Sequence, residues 1–190
     1  MNNQLIIFAK NPILGQVKTR LAATVGNKKA LEVYQQLLAH TNKISASINA
    51  KKSVYYSEFI EQEDQWKSSI YDKKLQEGDD LGVRMKNAFQ QHPKRKVVLI
   101  GTDCPGLSAT IVDQAFEALR FVDVVIGPAE DGGYYLIGMN QLEESLFQDV
   151  TWSSSEVLNE TVNKINKKKL SFLLLKTLSD VDTEKDLNQL

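Results

Sequence analysis

The sequence predicts an α/β fold, because short apolar runs and amphipathic segments alternate along the chain. The runs at 5–9 and 97–100 are typical of strands buried on both faces of a parallel sheet. The segment 27–47 has apolar residues at helical spacing and predicts a long helix. Alternation of this kind favours a mostly parallel sheet covered by helices. No repeat or linker divides the chain, so we expect one domain over residues 1–190.

Composition excludes several classes of function. The chain has 23 basic and 24 acidic residues, so its charge gives no sign of a nucleic-acid partner. A single cysteine excludes an internal disulfide framework and a cysteine-cluster metal site. The beginning of the sequence lacks a leader pattern, and no apolar run is long enough to span a membrane. We therefore expect a cytoplasmic protein.

The residues after the apolar run at 97–100 place a carboxylate at the end of a central strand. The run leads into GTDCP at 101–105, and Ser108 is placed to cap a helix that extends to about Arg120. Ligands bind at the carboxyl ends of strands in open α/β sheets. Asp103 could hold a divalent cation there, which could in turn hold phosphates. Alternatively, Asp103 only shapes the turn before the proline.

The loop after the first predicted strand carries three cations, Lys10, Lys18 and Arg20. Pro12 and Gly15 keep its first part irregular. Backbone N–H groups of such a loop can face an anion, and the lysine and arginine side chains can bind phosphate. The loop lacks the spacing of a Walker A motif. The alternative is a solvated basic surface.

A second turn combines glycines with acidic residues before a helix. Asp79 or Asp80 can cap a helix that extends to about Gln91, and Gly78 and Gly82 would let the backbone approach a ligand closely. A plain strand-to-helix turn is the alternative. The residues expected to face inward from this helix are Leu81, Met85, Ala88 and Phe89.

A third turn lies between predicted strands at 121–127 and 134–138. It contains Asp131 followed by Gly132 and Gly133. An Asp-Gly pair between apolar runs is typical of a β-hairpin. The same residues also suit a site where acids face a ligand and the backbone comes close to it.

Two capping patterns predict the starts of further helices. Ser153 and Glu156 have the spacing of a capping box, and so do Thr183 and Asp186. The apolar run at 170–175 between them predicts a last strand.

Taken together, these segments resemble bacterial glycosyltransferases of the nucleotide-diphospho-sugar transferase superfamily, whose fold is termed GT-A. Relatives include the nucleotidyltransferases that make molybdenum cofactor dinucleotides and the phospholactate guanylyltransferases. The matching segments are FAKNPILGQVKTRL at 8–21, QEGDDLGVRM at 76–85, IGTDCPGL at 100–107, GPAEDGGYYLIG at 127–138, DVTWSS at 149–154 and LSDVDTEKDL at 178–187. The resemblance spans nearly the whole chain and implies a three-layer α/β/α sandwich with a mixed, mostly parallel, Rossmann-like sheet.

The resemblance also implies roles for individual residues. The implied nucleotide-binding residues are Lys10, Gly15, Lys18, Arg20, Gly78, Gly82 and Arg84. The implied acceptor-binding residues are Gly132, Gly133, Trp152 and Ser153. Asp103 and Asp131 are implied as catalytic residues. Asp103 and Asp182 are implied as ligands of Mg²⁺ or Mn²⁺, and we expect their carboxylates to converge on one cation.

The predicted function is that of a metal-dependent transferase with a nucleotide or nucleotide-sugar donor and a small-molecule acceptor. The resemblance favours sugar transfer. Many GT-A glycosyltransferases carry Asp-x-Asp after the central strand, whereas this chain has Thr102-Asp103-Cys104, which is closer to the nucleotidyltransferase form. Transfer of a nucleotidyl group to a phosphorylated acceptor is therefore an alternative. A non-catalytic nucleotide-binding module is a second alternative, since fold alone does not fix activity.

Overall fold

One seven-stranded sheet runs through the structure, a computed structural model that describes residues 2–190. Its strands are β1 (Asn3–Ala9), β2 (Lys51–Tyr56), β3 (Tyr71–Leu75), β4 (Lys96–Ile100), β5 (Val124–Pro128), β6 (Tyr134–Met139) and β7 (Phe172–Leu174). The α-helices are α1 (Thr19–Val25), α2 (Asn27–Ala46), α3 (Leu81–Gln90), α4 (Ala109–Ala118) and α5 (Val157–Lys167). Short 3₁₀ helices lie at Glu144–Phe147 and Glu184–Gln189. Within residues 2–190, no helix has the length and apolar character needed to cross a membrane.

The helices cover both faces of the sheet, which confirms the predicted three-layer α/β/α sandwich. Successive residues of β1 point to opposite faces. Leu5 and Ile7 pack in one core with Val112 of α4, and Ile6 packs in a second core with Ile165 of α5. All five side chains are fully buried. A strand with helices on both faces must be apolar at successive positions, which explains the continuous apolar runs.

The strands lie in the order β3-β2-β1-β4-β6-β5-β7, and β6 makes the sheet mixed. β6 pairs antiparallel with β4 on one side and with β5 on the other. The remaining pairs are parallel. Because β4 and β5 both oppose β6, they run in the same direction as each other and as β1. The loops that follow β1, β4 and β5 therefore open at one edge of the sheet.

Side chains cap three of the predicted helix starts. The Asp80 carboxylate accepts the backbone N–H three residues along at 2.8 Å, and the Ser108 hydroxyl does the same at 3.3 Å. Thr183 and Asp186 form the predicted capping box, although the helix that follows is a 3₁₀ helix. Each cap satisfies a backbone donor that has no partner inside the helix.

The predicted capping box of Ser153 and Glu156 is wrong. α5 begins at Val157, and no side chain caps it. Ser153 has a left-handed backbone with φ of 63°. Glu160 instead accepts hydrogen bonds from the backbone and hydroxyl of Thr151 at 2.8 and 2.9 Å. These contacts tie the preceding loop to the helix and replace the box.

Two apolar residues differ from prediction: Phe121 lies outside the strand expected to begin there, and Leu81 does not face inward. Phe121 is 76% exposed, because the turn after α4 continues through it with a bond from its N–H to Ala118, and β5 begins only at Val124. Leu81 is 44% exposed. It is the first residue of α3 and lies over a cleft rather than in the core.

His92, between α3 and β4, makes folding sensitive to acid. Burial, with Lys74 and Arg95 nearby, lowers its pKa from 6.5 to about 4. As the pH falls from 6.5 toward 4, the unfolded chain binds a proton at His92 that the folded protein does not bind, so stability is lost. We expect Tm to fall less over this range in His92→Gln than in the wild type, measured by calorimetry. Equal falls in Tm would show that His92 does not contribute.

Candidate functional site

A cleft with two lobes lies where the loops after β1, β4 and β5 meet. The first lobe has a volume of about 770 Å³ and the second about 470 Å³. Lys10, Asp103 and Asp180 line both lobes. The first lobe extends over the β1–α1 loop and residues 152–155, and the second extends toward the ends of β2 and β3. The cleft is large enough for a nucleotide-sized ligand.

Lys18 of the β1–α1 loop is a buried cation that joins two carboxylates. Its Nζ lies 3.0 Å from Oδ1 of Asp103 and 3.5 Å from Oδ1 of Asp182. The Lys18 side chain is 4% exposed, whereas that of Asp103 is 40% exposed. Asp103 and Asp182, which are far apart in sequence, therefore lie close together, and the charge between them is an ammonium group of the protein.

Arg20 extends the same ion-pair network toward solvent. Arg20 lies in the first turn of α1, and its guanidinium is 2.7 Å from Oδ2 of Asp182, so the two oxygens of Asp182 face Lys18 and Arg20 respectively. The backbone N–H of Asp182 donates to Asp186 of the capping box. Asp182 is thus held at its backbone and at its side chain, and it orients Lys18 and Arg20.

The segment 176–182 reaches the cleft because its backbone pairs with the loops around it. The Leu178 N–H donates to Pro128 O, and the Leu178 carbonyl accepts from Glu130, both at 3.0 Å. The Val181 N–H donates to the carbonyl of Asp103 at 3.0 Å. These bonds place the side chains on either side of Val181 beside the end of β4.

Asp180 is a residue of the cleft that the sequence patterns did not predict. It lines both lobes, and its Oδ1 is buried without a hydrogen-bond partner among the described residues. Burial, together with the negative charge of Asp103, raises its pKa to about 7, while Lys18 opposes this rise. The signal was present in the sequence as a second aspartate two positions before Asp182.

Tyr34 of α2 is a second residue of the cleft that the sequence did not single out, since it lies within the long helix predicted over 27–47. Its hydroxyl accepts from the Lys10 N–H at 2.8 Å and lies 3.2 Å from the Thr102 hydroxyl. Burial and the nearby Asp103 raise the pKa of Tyr34, so it stays protonated. Tyr34 fixes the loop after β1 against the loop after β4.

The β5–β6 turn carries Asp131 into the first lobe and packs against the segment before α5. The Asp131 carboxylate accepts the Gly133 N–H at 2.9 Å. Gly132 has φ of 89°, and a Cβ built on it would lie 2.1 Å from the Ser155 carbonyl oxygen. This approach, with a bond from the Leu158 N–H to Gly132 O, brings the loop at 152–155 against the turn.

The structure separates the predicted site residues into two groups. The predicted residues that line the cleft are Lys10, Lys18, Arg20, Arg84, Asp103, Asp131, Gly133, Trp152, Ser153 and Asp182. Gly15, Gly78, Gly82 and Gly132 are not among the residues that line either lobe. At Gly82 the reason is packing, because a Cβ there would lie 2.6 Å from the ring of Trp152. The absence of a side chain at Gly82 thus leaves room for the ring of Trp152.

The fold is that of nucleotide-diphospho-sugar transferases and nucleotidyltransferases. A candidate nucleotide-diphospho-sugar transferase from Desulfovibrio desulfuricans G20 is 31% identical, with a TM-score of 0.88 over 98% of this chain and 88% of that one. A family model described as "Uncharacterized protein conserved in bacteria (DUF2064)" matches residues 40–154. The chain belongs to this family. No protein with a curated description matches it.

Two more distant structures share the fold alone. One is CMP:2-keto-3-deoxy-manno-octonic acid synthetase complexed with CTP, which is 10% identical with a TM-score of 0.55 over 100% of this chain and 96% of that one. The other is Rv0371C of Mycobacterium tuberculosis H37Rv in complex with manganese, which is 11% identical with a TM-score of 0.58 over 100% and 97% of the two chains. These two similarities extend over the whole chain and show that the fold is shared.

Proposed function

We propose that this protein is a metal-dependent transferase that uses a nucleotide-sugar as its donor. The observation that carries the proposal is the meeting of two lobes at Asp103 and Asp180, beside the cations of the β1–α1 loop. The second lobe would hold the nucleoside, the junction would hold the phosphates, and the first lobe would hold the sugar and acceptor. The name of the relative from Desulfovibrio desulfuricans G20 supports this assignment.

Asp103 and Asp180 are the carboxylates that fit a divalent cation. The buried, unpartnered Oδ1 of Asp180 beside a second carboxylate is an arrangement that such a cation would satisfy. Within residues 2–190 there is no group of three or more acidic, histidine or cysteine side chains that could hold a metal. Phosphate oxygens and water would therefore complete its coordination, as is usual for Mg²⁺. The structure favours Asp180 over Asp182 as the second ligand, because both oxygens of Asp182 face Lys18 and Arg20.

The bound cation would neutralise negative charge that develops on the leaving phosphate group. Lys10, Lys18 and Arg20 would bind the same phosphates through charge-assisted hydrogen bonds. Trp152 supplies an aromatic surface in the first lobe for the sugar or acceptor. Asp131, in the same lobe, would accept the proton of the attacking hydroxyl group.

Nucleotidyl transfer is the second candidate, and the basic loop favours it. Three cations are sufficient to hold a triphosphate, and the residue two positions after Asp103 is Pro105 rather than the second aspartate of an Asp-x-Asp motif. In this version an acceptor phosphate attacks the α-phosphate of a nucleoside triphosphate, and pyrophosphate leaves.

A product assay distinguishes the candidates. Incubation with a panel of nucleotide-sugars, nucleoside triphosphates and acceptors in Mn²⁺ or Mg²⁺ should release a nucleoside diphosphate under the first proposal. Release of pyrophosphate would establish the second. Tight binding of a nucleotide, detected as a rise in Tm, with no turnover across the panel would favour a non-catalytic module.

Arg20, in the first turn of α1, provides a test of phosphate binding by the basic segment that begins in the loop after β1. Arg20→Ala should weaken nucleotide binding by about tenfold or more, since one charge-assisted hydrogen bond is worth ~1.5–3 kcal/mol. Arg20→Lys should recover only part of the affinity, because lysine lacks the planar fork of donors. Lys29→Ala, which removes an exposed cation of α2, is the matched control. Equal calorimetric affinities in all variants would identify the loop as a solvated basic surface.

A further inference from the structure

The ammonium group of Lys18 lies beside Asp103. A cation bound to the same carboxylate would therefore meet a positive charge that the protein itself supplies. The Lys18 ammonium group lies 3.0 Å from the Asp103 carboxylate, and the side chain of Lys18 is almost completely buried. Asp182 holds the ammonium from the other side at 3.5 Å. Because the Lys18 side chain is shielded from water, its charge is screened much less than that of a surface lysine. In this structure Lys18 supplies the counter-charge of Asp103.

The backbone of Lys18 indicates that this placement is specific. Lys18 has φ of 48° and ψ of 45°, a left-handed conformation that non-glycine residues rarely adopt. Strain of this kind persists only where the surroundings fix the residue, and such residues cluster at functional sites. Here the ion pairs with Asp103 and Asp182 hold the ammonium at a defined point of the cleft.

A divalent cation on Asp103 would be repelled by this ammonium. Two positive groups that share one carboxylate raise each other's energy, and the effect is strong in a partly buried cleft. The phosphates of a nucleotide change this balance, because they offer Lys18 a new anionic partner and offer the cation further oxygen ligands.

We propose that Lys18 is a place-holding cation, because its ammonium group pairs with Asp103 and weakens the binding of a divalent cation to that carboxylate. When a nucleotide binds, the ammonium group pairs with the phosphates instead. This inference rests on the proposed function. The exchange of partners by Lys18 makes the binding of the cation and the binding of the nucleotide cooperative. By linkage, each ligand must raise the affinity of the other by the same factor.

The test is the affinity of the protein for Mn²⁺ without nucleotide, measured by calorimetry and by the electron paramagnetic resonance of free Mn²⁺. Lys18→Met and Lys18→Gln should each bind Mn²⁺ roughly tenfold more tightly than the wild type, within the usual range for coupled sites. Arg20→Gln is the matched control, since it removes the same charge from a group that contacts Asp182 but makes no ion pair with Asp103. Its affinity for Mn²⁺ should change much less. Circular dichroism confirms that each variant is folded.

A wild-type measurement keeps the proposal testable if neither Lys18 variant folds. With free Mn²⁺ buffered, a nucleoside diphosphate from a panel of four bases should raise the Mn²⁺ affinity of the wild type. Unchanged or weaker Mn²⁺ binding in the folded Lys18 variants, or wild-type affinity that no nucleotide alters, would overturn the place-holding role and leave metal-dependent transfer standing. Absence of Mn²⁺ binding in every variant, with and without nucleotide, would overturn the proposed function as well.

Discussion

Asp103→Asn should lower turnover by about a hundredfold or more, which is the usual loss when a group that stabilises transition-state charge is removed. Asparagine keeps the size of the side chain but lacks the negative charge that would hold the proposed divalent cation. The folded protein should tolerate the change. Asp103 attracts Lys18 and repels Asp180, so loss of its charge has opposing effects on stability. We expect Tm to remain within a few degrees of the wild type, measured by calorimetry.

Two matched variants define what Asp103 does. Asp180→Asn should cause a similar loss of turnover, because Asp180 is the second proposed ligand of the cation. Asp182→Asn should cause a smaller loss that appears mainly as weaker nucleotide binding, since Asp182 orients Lys18 and Arg20. A large fall in Tm with retained turnover in Asp103→Asn would instead assign Asp103 to the turn after β4.

Gly132→Ala should destabilise the protein by about 3 kcal/mol, because it combines backbone strain with a steric clash. The left-handed φ of 89° disfavours any Cβ, and this Cβ would lie 2.1 Å from a backbone oxygen of Ser155. Neither the turn nor the segment before α5 can move without breaking the bond between Leu158 and Gly132. Chemical denaturation measures the free energy of unfolding.

Gly26→Ala is the control that separates strain from the clash. Gly26 has a similar φ of 83°, but a Cβ built on it meets no atom within 4 Å. This variant should lose only about 1–2 kcal/mol, the cost of placing a Cβ on the positive-φ backbone of Gly26, whose φ is 83° and ψ 157°. Equal losses in the two variants would show that the contact with Ser155 is not constrained.

Gly132→Ala should also lower turnover, because the segment that it displaces carries Trp152 and Ser153 into the cleft.

The sequence was most informative where local pattern and topology agree. Asp103 could be placed at the carboxyl end of a central strand, because an apolar run that is buried on both faces belongs to an inner strand of the sheet. The caps at Asp80 and Ser108 were predictable because each depends on an interaction three residues away. The Asp-Gly pair in the β5–β6 turn favoured a hairpin, and the structure has a hairpin whose tip also lines the cleft.

Residues whose environment depends on distant parts of the chain could not be predicted in the same way. Asp180 is buried because Leu178 pairs with Pro128, about fifty positions earlier, and no local pattern encodes that register. Gly82 fits the pattern of a ligand-binding glycine, and in the structure it also packs closely against Trp152, about seventy positions later. Leu81 follows the helical period of α3, yet it lies at the first turn and overhangs the cleft.

During synthesis, the residues that form the two sides of the cleft leave the ribosome at different times. Asp103 and the cations of the first loop emerge early, whereas Asp180 and Asp182 follow β7 in the segment 176–182. Until that segment docks, Lys18 lacks one of its two carboxylate partners. The nascent chain can therefore pair its first six strands before the proposed nucleotide and cation site is complete. A protease that cuts within the segment 176–182 would inactivate the proposed site and leave all seven strands uncut.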